Sequence, residues 1–399
     1  MNSRTTLLRC LIQIIATGLV ACQPTITPTL VITEPASATA DLVTSTAKPV
    51  PSKTKLPTAL PTIPNTIIEL DGAILPPGFS LIKFADLYRP TAFAFDAQGN
   101  LFVTSVDSNI YRLTDSDHDG RFDTQSTFAT GYYLPLGITV HALTGEVYLS
   151  HQGGITVLSD VDGNGKADAK RSLVSNLPIG LHQNDNLKFG PDGWLYMGLG
   201  STCDACKELD ARNASIMRFN VETGASEIYA TGMRNPYDLA FHPTTGDLFA
   251  TDNGRDDQGM NAPAEELNHI IQGGDYGFPN CWDGHDQSGC EASIPAVAYF
   301  ESHSSANGLD FYQGEKFPTE FRDNAFVSIF GSWLKPQVQT GIQRVILTKE
   351  STTYRSSSAW FVQFPEGIMP LPLLFGPDDA LYVGDYINNV IYRISYGIP

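Results

Sequence analysis

Two stretches of this 399-residue chain space their carboxylates for a hard cation. Asp115-Ser-Asp117-His-Asp119-Gly120-Arg-Phe-Asp123 puts side-chain oxygens at loop positions 1, 3, 5 and 9, with glycine at position 6 for the tight turn. Asp160-Val-Asp162-Gly-Asn164-Gly165-Lys-Ala-Asp168 repeats the spacing, with Asn164 as the third oxygen donor. Calcium gathers about six to eight oxygens, and a backbone carbonyl at position 7, from Arg121 or Lys166, completes such a set. Position 12 is Ser126 in one loop and Arg171 in the other, so neither is a full EF-hand. The expectation is a structural calcium ion in each loop; the alternative is that aspartate and glycine merely cap turns.

A second set of reactive side chains lies between Gly180 and Pro279. His182, followed by Gln183 and Asn184 at the entry to an apolar run, is placed to accept a proton from a hydroxyl near neutral pH. Arg234 and Asn235 offer a permanent cation and an amide, and Glu265 and Glu266 a pair of carboxylates. Cys203 and Cys206 flank Asp-Ala, and Cys281 and Cys290 follow.

The elements that hold these residues repeat. The phrase aromatic, four residues with a turn, Gly or its equivalent, then Leu and an aromatic occurs at Phe95–Val103, Val140–Leu149, Phe189–Met197, Phe241–Ala250 and Phe375–Val383. A degenerate copy runs from Phe311 to Val327. Each copy reads as strand, turn, strand, and most precede another strand such as Ile110-Tyr-Arg-Leu113 or Ile216-Met-Arg-Phe219. Small antiparallel sheets repeating at this interval define an all-β chain, and six copies predict a six-bladed β-propeller over residues 66–399.

The N-terminus carries a different message. Arg4 and Arg9 precede the apolar run 11–20, and Leu19-Val-Ala-Cys22 closes it, as in a lipoprotein signal peptide spanning residues 1–22. That order predicts export, cleavage before Cys22 and lipidation of its thiol, leaving the chain anchored on the outer side of a cell membrane. Residues 23–65, rich in Pro, Thr, Ser and Ala, read as a disordered tether. In an oxidising compartment the four remaining cysteines favour two disulfides, most simply Cys203–Cys206 and Cys281–Cys290. A zinc site built on Cys203 and Cys206 lacks a second half in the sequence. The formal charge is −18, and residues 1–65 hold five basic against two acidic side chains, so the propeller is more acidic still. Such a surface excludes nucleic acid as a partner and favours cations.

The phrases Gly180-Leu-His182-Gln-Asn-Asp-Asn-Leu, Gly200-Ser-Thr-Cys203, Gly232-Met-Arg234-Asn235-Pro236, Thr251-Asp-Asn-Gly-Arg-Asp256 and Glu265-Glu266-Leu-Asn268, in this order, resemble the soluble glucose/sorbosone dehydrogenases. The closing Ile391-Tyr-Arg-Ile-Ser-Tyr396 extends the resemblance over most of residues 70–396. It implies a six-bladed propeller that oxidises a sugar with pyrroloquinoline quinone and calcium. On that resemblance His182 is the general base, Arg234 binds the quinone oxygen and stabilises charge there, and Asn235 bonds the same edge. The carbonyls of Gly254 and Arg255 help hold the cofactor's calcium, and Glu265, Glu266 and the Tyr276 region match a second calcium site. Three departures stand out. Ser201 replaces the usual aspartate, the stretch Phe330-Gly-Ser-Trp-Leu-Lys335 differs from the branch pattern, and residues 367–374 hold none of the arginines that bind the cofactor carboxylates. Each lost charge-assisted bond is worth about 1.5–3 kcal/mol, which implies weak quinone affinity. Beside the dehydrogenase stand a non-catalytic, calcium-stabilised propeller that binds carbohydrate or protein, and a calcium-dependent hydrolase or lactonase.

Overall fold

The computed structural model describes residues 64–398. The signal peptide, Cys22 and the tether up to residue 63 lie outside the described residues. Six four-stranded antiparallel sheets form six blades, and in five of them the strands follow chain order from the innermost outward. The inner strands are Pro90–Phe95, Gly137–Val140, Asn184–Phe189, Leu239–Phe241, Ala306–Phe311 and Pro370–Phe375. The sixth blade borrows its outer strand, Phe79–Asp86, from the beginning of the propeller, where it pairs with Val390–Tyr396. This pairing of an early strand with the last one closes the ring of blades. Among the described residues there is no α-helix; one 3-10 turn, Thr319–Phe321, replaces the tight turn of the degenerate fifth repeat.

The repeated phrase has a packing cause. The aromatic on the second strand of one blade meets the aromatic that ends the inner strand of the next. The pairs are Tyr148–Phe189, Tyr196–Phe241, Phe249–Phe311, Phe326–Phe375 and Tyr382–Phe95, with ring centroids 5.0–5.5 Å apart and steep interplanar angles. Edge-to-face pairs add about 0.5–1.5 kcal/mol each beyond their burial. At the remaining seam Phe102 and Val140 share one apolar cluster. Both aromatics of each phrase therefore serve neighbouring blades, which is why the spacing recurs.

Antiparallel order fixes two faces. All inner strands begin on one face, the entry face, together with the loops between second and third strands. The turns between third and fourth strands lie on the far face. His182, Arg234, residues 200–214 and residues 253–264 therefore gather on the entry face, whereas both aspartate loops, 115–123 and 160–168, sit on the far face.

Candidate active site on the entry face

His182 precedes the third blade's inner strand, Asn184–Phe189, and is half-buried. Its backbone N–H donates to Ser201 O at 3.0 Å. A Cβ on Gly200 would lie 2.3 Å from that of His182, so only glycine lets the two loops approach. Ser201 Oγ lies 3.0 Å from His182 Nδ1 and donates its single hydrogen to Cys203 O at 2.6 Å. The hydroxyl can then only accept from the ring, which puts the imidazole proton on Nδ1 and leaves a lone pair on Nε2. Burial, followed by the charge of Arg234, holds the His182 pKa down at about 4. The ring is thus a neutral base at physiological pH.

Arg234 is almost wholly buried, at 5 % exposure. Its Nε and one terminal nitrogen grip Asp204, the latter at 2.8 Å, and it also reaches Asp256 Oδ2 at 2.9 Å and the Asn253 carbonyl at 3.2 Å. Asp204 sits inside the Cys203–Cys206 disulfide, which forms as the cysteine pattern predicts, as does Cys281–Cys290. Asp252 clamps the backbone: its two oxygens accept from Arg234 N at 3.1 Å and Asn235 N at 2.7 Å. The half-buried Asn235 amide makes no side-chain hydrogen bond to another described residue.

Around this core the structure buries carboxylates without enough cations. Desolvation pushes Asp252 up to about 7 and Glu265 and Glu266 each up to about 8. Glu265 accepts from Gly254 N at 2.7 Å. The amide oxygens of Asn253 and Asn268 are buried with no partner. Among the described residues no hydrogen bond ends on the Gly254 or Arg255 carbonyls. Unpaired oxygens beside buried acids suit a hard cation. Tyr276 stands apart from Glu265 and Glu266: its hydroxyl bonds the His269 carbonyl and the Ile271 N–H, at the other end of the strand Glu265–Ile270.

On the far face the first aspartate loop brings oxygens of Asp115, Asp117 and Asp119 within 4.8 Å of one another, and the second does so for Asp160, Asp162 and Asp168. Asp123 turns instead to the N–H and hydroxyl of Ser116. Asn164 Oδ1 accepts from Lys166 N, and Arg121 binds Lys83 O on the sixth blade's outer strand. A cavity of about 440 Å³ opens at the axis of this face, lined by Lys188, Asp310 and Gln313, and contains none of the entry-face residues.

Ser201, Asp204, Asp252 and Asp256 are the site residues that sequence reasoning did not assign a role. Ser201 carried a signal as a departure from the family pattern, and Asp204 lay inside the quoted Cys-Asp-Ala-Cys motif.

The architecture is a six-bladed β-propeller, a fold that solved structures of sugar dehydrogenases share. The holo pyranose dehydrogenase domain of Coprinopsis cinerea, named for its pyrroloquinoline quinone, superposes with a TM-score of 0.71 at 15 % identity, over 83 % of this chain and 99 % of that one. Over residues 70–394 the chain belongs to a family described only as a domain of unknown function, DUF7133. An uncharacterized protein of Borreliella burgdorferi is 25 % identical over 81 % of this chain and 90 % of its own length. A pyrroloquinoline quinone-dependent sugar dehydrogenase of Hypocrea jecorina is 24 % identical over 49 % of this chain and 54 % of its own.

Proposed function

We propose that this protein oxidises the C1 hydroxyl, or hydrated aldehyde, of a sugar on its entry face. The observation that carries the reading is the bonded series from His182 Nδ1 through Ser201 to the Cys203 carbonyl, which leaves Nε2 free as a base close to a buried arginine. His182 Nε2 takes the hydroxyl proton as the C1–H bond breaks. Pyrroloquinoline quinone, when bound, supplies the acceptor for the hydride. Arg234 and Asn235 would hold the quinone oxygens, and the Gly254 and Arg255 carbonyls would meet its calcium. Asp252 fixes the backbone from which Arg234 and Asn235 project. The donor set fits both groups: buried acids and orphaned amide oxygens await a cation, and a permanent cation faces developing negative charge.

Export, lipidation at Cys22 and structural calcium in the two aspartate loops belong to the same proposal. They are supported by Leu19-Val-Ala-Cys22, the Pro/Thr-rich stretch behind it and the clustered loop oxygens. Mass spectrometry of the mature N-terminus, with Cys22→Ser as the control, tests the anchor. The central test supplies the purified protein with quinone, calcium, a dye acceptor and a panel of aldoses. Dye reduction on an aldose supports the reading, and none at saturating quinone overturns it. A second reading, a propeller that binds carbohydrate without turnover, is favoured by one observation: Asp204 and Asp256 already occupy most of the Arg234 guanidinium.

A further inference from the structure

The sixth blade lacks basic residues in the stretch 367–374, yet a cation from another blade reaches that place. The Arg89 guanidinium lies 5.3 Å from the centroid of the Tyr386 ring and 5.6 Å from that of Tyr88. Tyr386 N donates to Met369 O at 3.0 Å, and Asn388 Nδ2 to Gly367 O at 2.8 Å, so Tyr386 is held against the arginine-free segment. From Tyr386 a row of rings continues through Phe330, at 5.9 Å, to Trp333, at 5.8 Å. Tyr386 and Phe330 pack in one cluster with Tyr237, three residues beyond Arg234, so the row abuts the proposed site. Trp333 and Tyr88 are open to solvent, at 72 % and 48 % exposure.

The backbone shows that this placement is imposed. Arg89 has φ 35°, in the left-handed region, although it carries a side chain and precedes Pro90, whose ring crowds the residue before it. Asn389 Oδ1 accepts from Arg89 N at 3.1 Å, Asn389 O accepts from Leu87 N at 2.8 Å, and Ser105 Oγ donates to Tyr88 O at 2.5 Å. Strain of this kind gathers at functional sites. Among the described residues Arg89 forms no ion pair, although the chain holds 43 acidic against 25 basic side chains. An unpaired guanidinium beside flat, partly exposed rings recognises a planar anion: the rings stack on its π-face and the guanidinium takes its carboxylates.

We infer that Arg89, with Tyr386 and Trp333 bridged by the buried Phe330, forms a subsite for a planar aromatic polycarboxylate, and that Arg89 replaces the carboxylate-binding arginines absent from residues 367–374. The inference rests on the proposed quinone chemistry and names the residue that would hold the cofactor's acidic edge.

Calorimetric titration of the full chain with pyrroloquinoline quinone and, separately, with benzene-1,3,5-tricarboxylate tests it. Arg89→Gly should weaken both at least tenfold and flatten their salt dependence, and Arg89→Lys should recover part of the affinity. Because glycine relaxes φ 35°, the Arg89→Gly melting temperature should stay level or rise, which a purely structural arginine would not allow. Equal quinone affinity in wild type and Arg89→Gly overturns the inference and leaves the dehydrogenase reading standing. Tricarboxylate binding that needs Arg89, with no turnover of any aldose, supports the subsite and sinks the dehydrogenase. Binding of neither probe overturns both.

Discussion

His182 is set by its neighbours more than by its own chemistry. Burial, followed by the charge of Arg234, outweighs the support that the Ser201 backbone and Asp204 give the imidazolium, and the pKa settles at about 4. His182→Ala should lower turnover about 100- to 10,000-fold while quinone affinity changes little, because a base acts on the substrate proton. Stopped-flow rates and a binding titration on the same variant separate the two. The depressed pKa also sets a sign. The folded state binds fewer protons than the unfolded chain, so this histidine's contribution to stability is fully present above its ordinary value near 6.5 and is lost as pH falls toward about 4. Activity should fall only as pH drops through about 4, where the ring of the folded protein takes up its proton. Ser201→Asp, which returns a carboxylate to Nδ1, should move the acid limb of the pH–rate profile upward; an unmoved limb would remove Ser201 from the role of positioning residue. Arg234→Ala should weaken quinone binding and turnover together, since the cation serves both the bound ring and the charge that develops on it.

At the scale of strands and loops, the sequence pattern was legible wherever contacts repeat. The aromatic phrase exposed every blade because each copy meets the same partner in the next sheet, and even the degenerate fifth copy, through Phe311 and Phe326, joins both seams. The aspartate loops and the cysteine pairs were legible because their partners lie within a few residues. Pairings across long separations left no local trace: Arg234 with Asp204, Asn235 with Asp252, and Arg89 with Asn389. Tyr276, assigned through the resemblance, likewise left no local trace of which end of the strand its hydroxyl would reach. The seam account makes its own prediction. Phe249 is fully buried, meets Phe311 at 5.5 Å, and has no polar role. Phe249→Ala should cost about 3–5 kcal/mol, read as a lowered denaturation midpoint, while far-ultraviolet dichroism stays that of a β protein. A loss under 1 kcal/mol would show that the paired aromatics are not what joins the blades.

Over the whole molecule the two faces divide the labour, and the division can be tested with one ion. Calcium on the far face would sit in loops that reach across seams. Phe122 N donates to Phe84 O on the sixth blade's outer strand, and Ala167 N to Phe128 O on the first blade's. The loops' glycines, Gly120 and Gly165, face Arg393 and Arg112 of those same preceding blades. An ion at a hundred times its dissociation constant adds about 2.7 kcal/mol to the native state, so chelation should lower the melting temperature. Asp117→Ala and Asp162→Ala should each blunt that response, and the double variant should remove most of it. Quinone affinity at saturating calcium should nevertheless survive both substitutions, because the Gly254 and Arg255 carbonyls lie on the opposite face and distant, unshared sites behave additively. Loss of quinone binding in the Asp117→Ala, Asp162→Ala double variant, with the fold intact by dichroism, would show that the faces are coupled through the ring. An undiminished chelator effect in that variant would move the stabilising ion out of the aspartate loops altogether and leave the buried acids Asp252, Glu265 and Glu266 as its place.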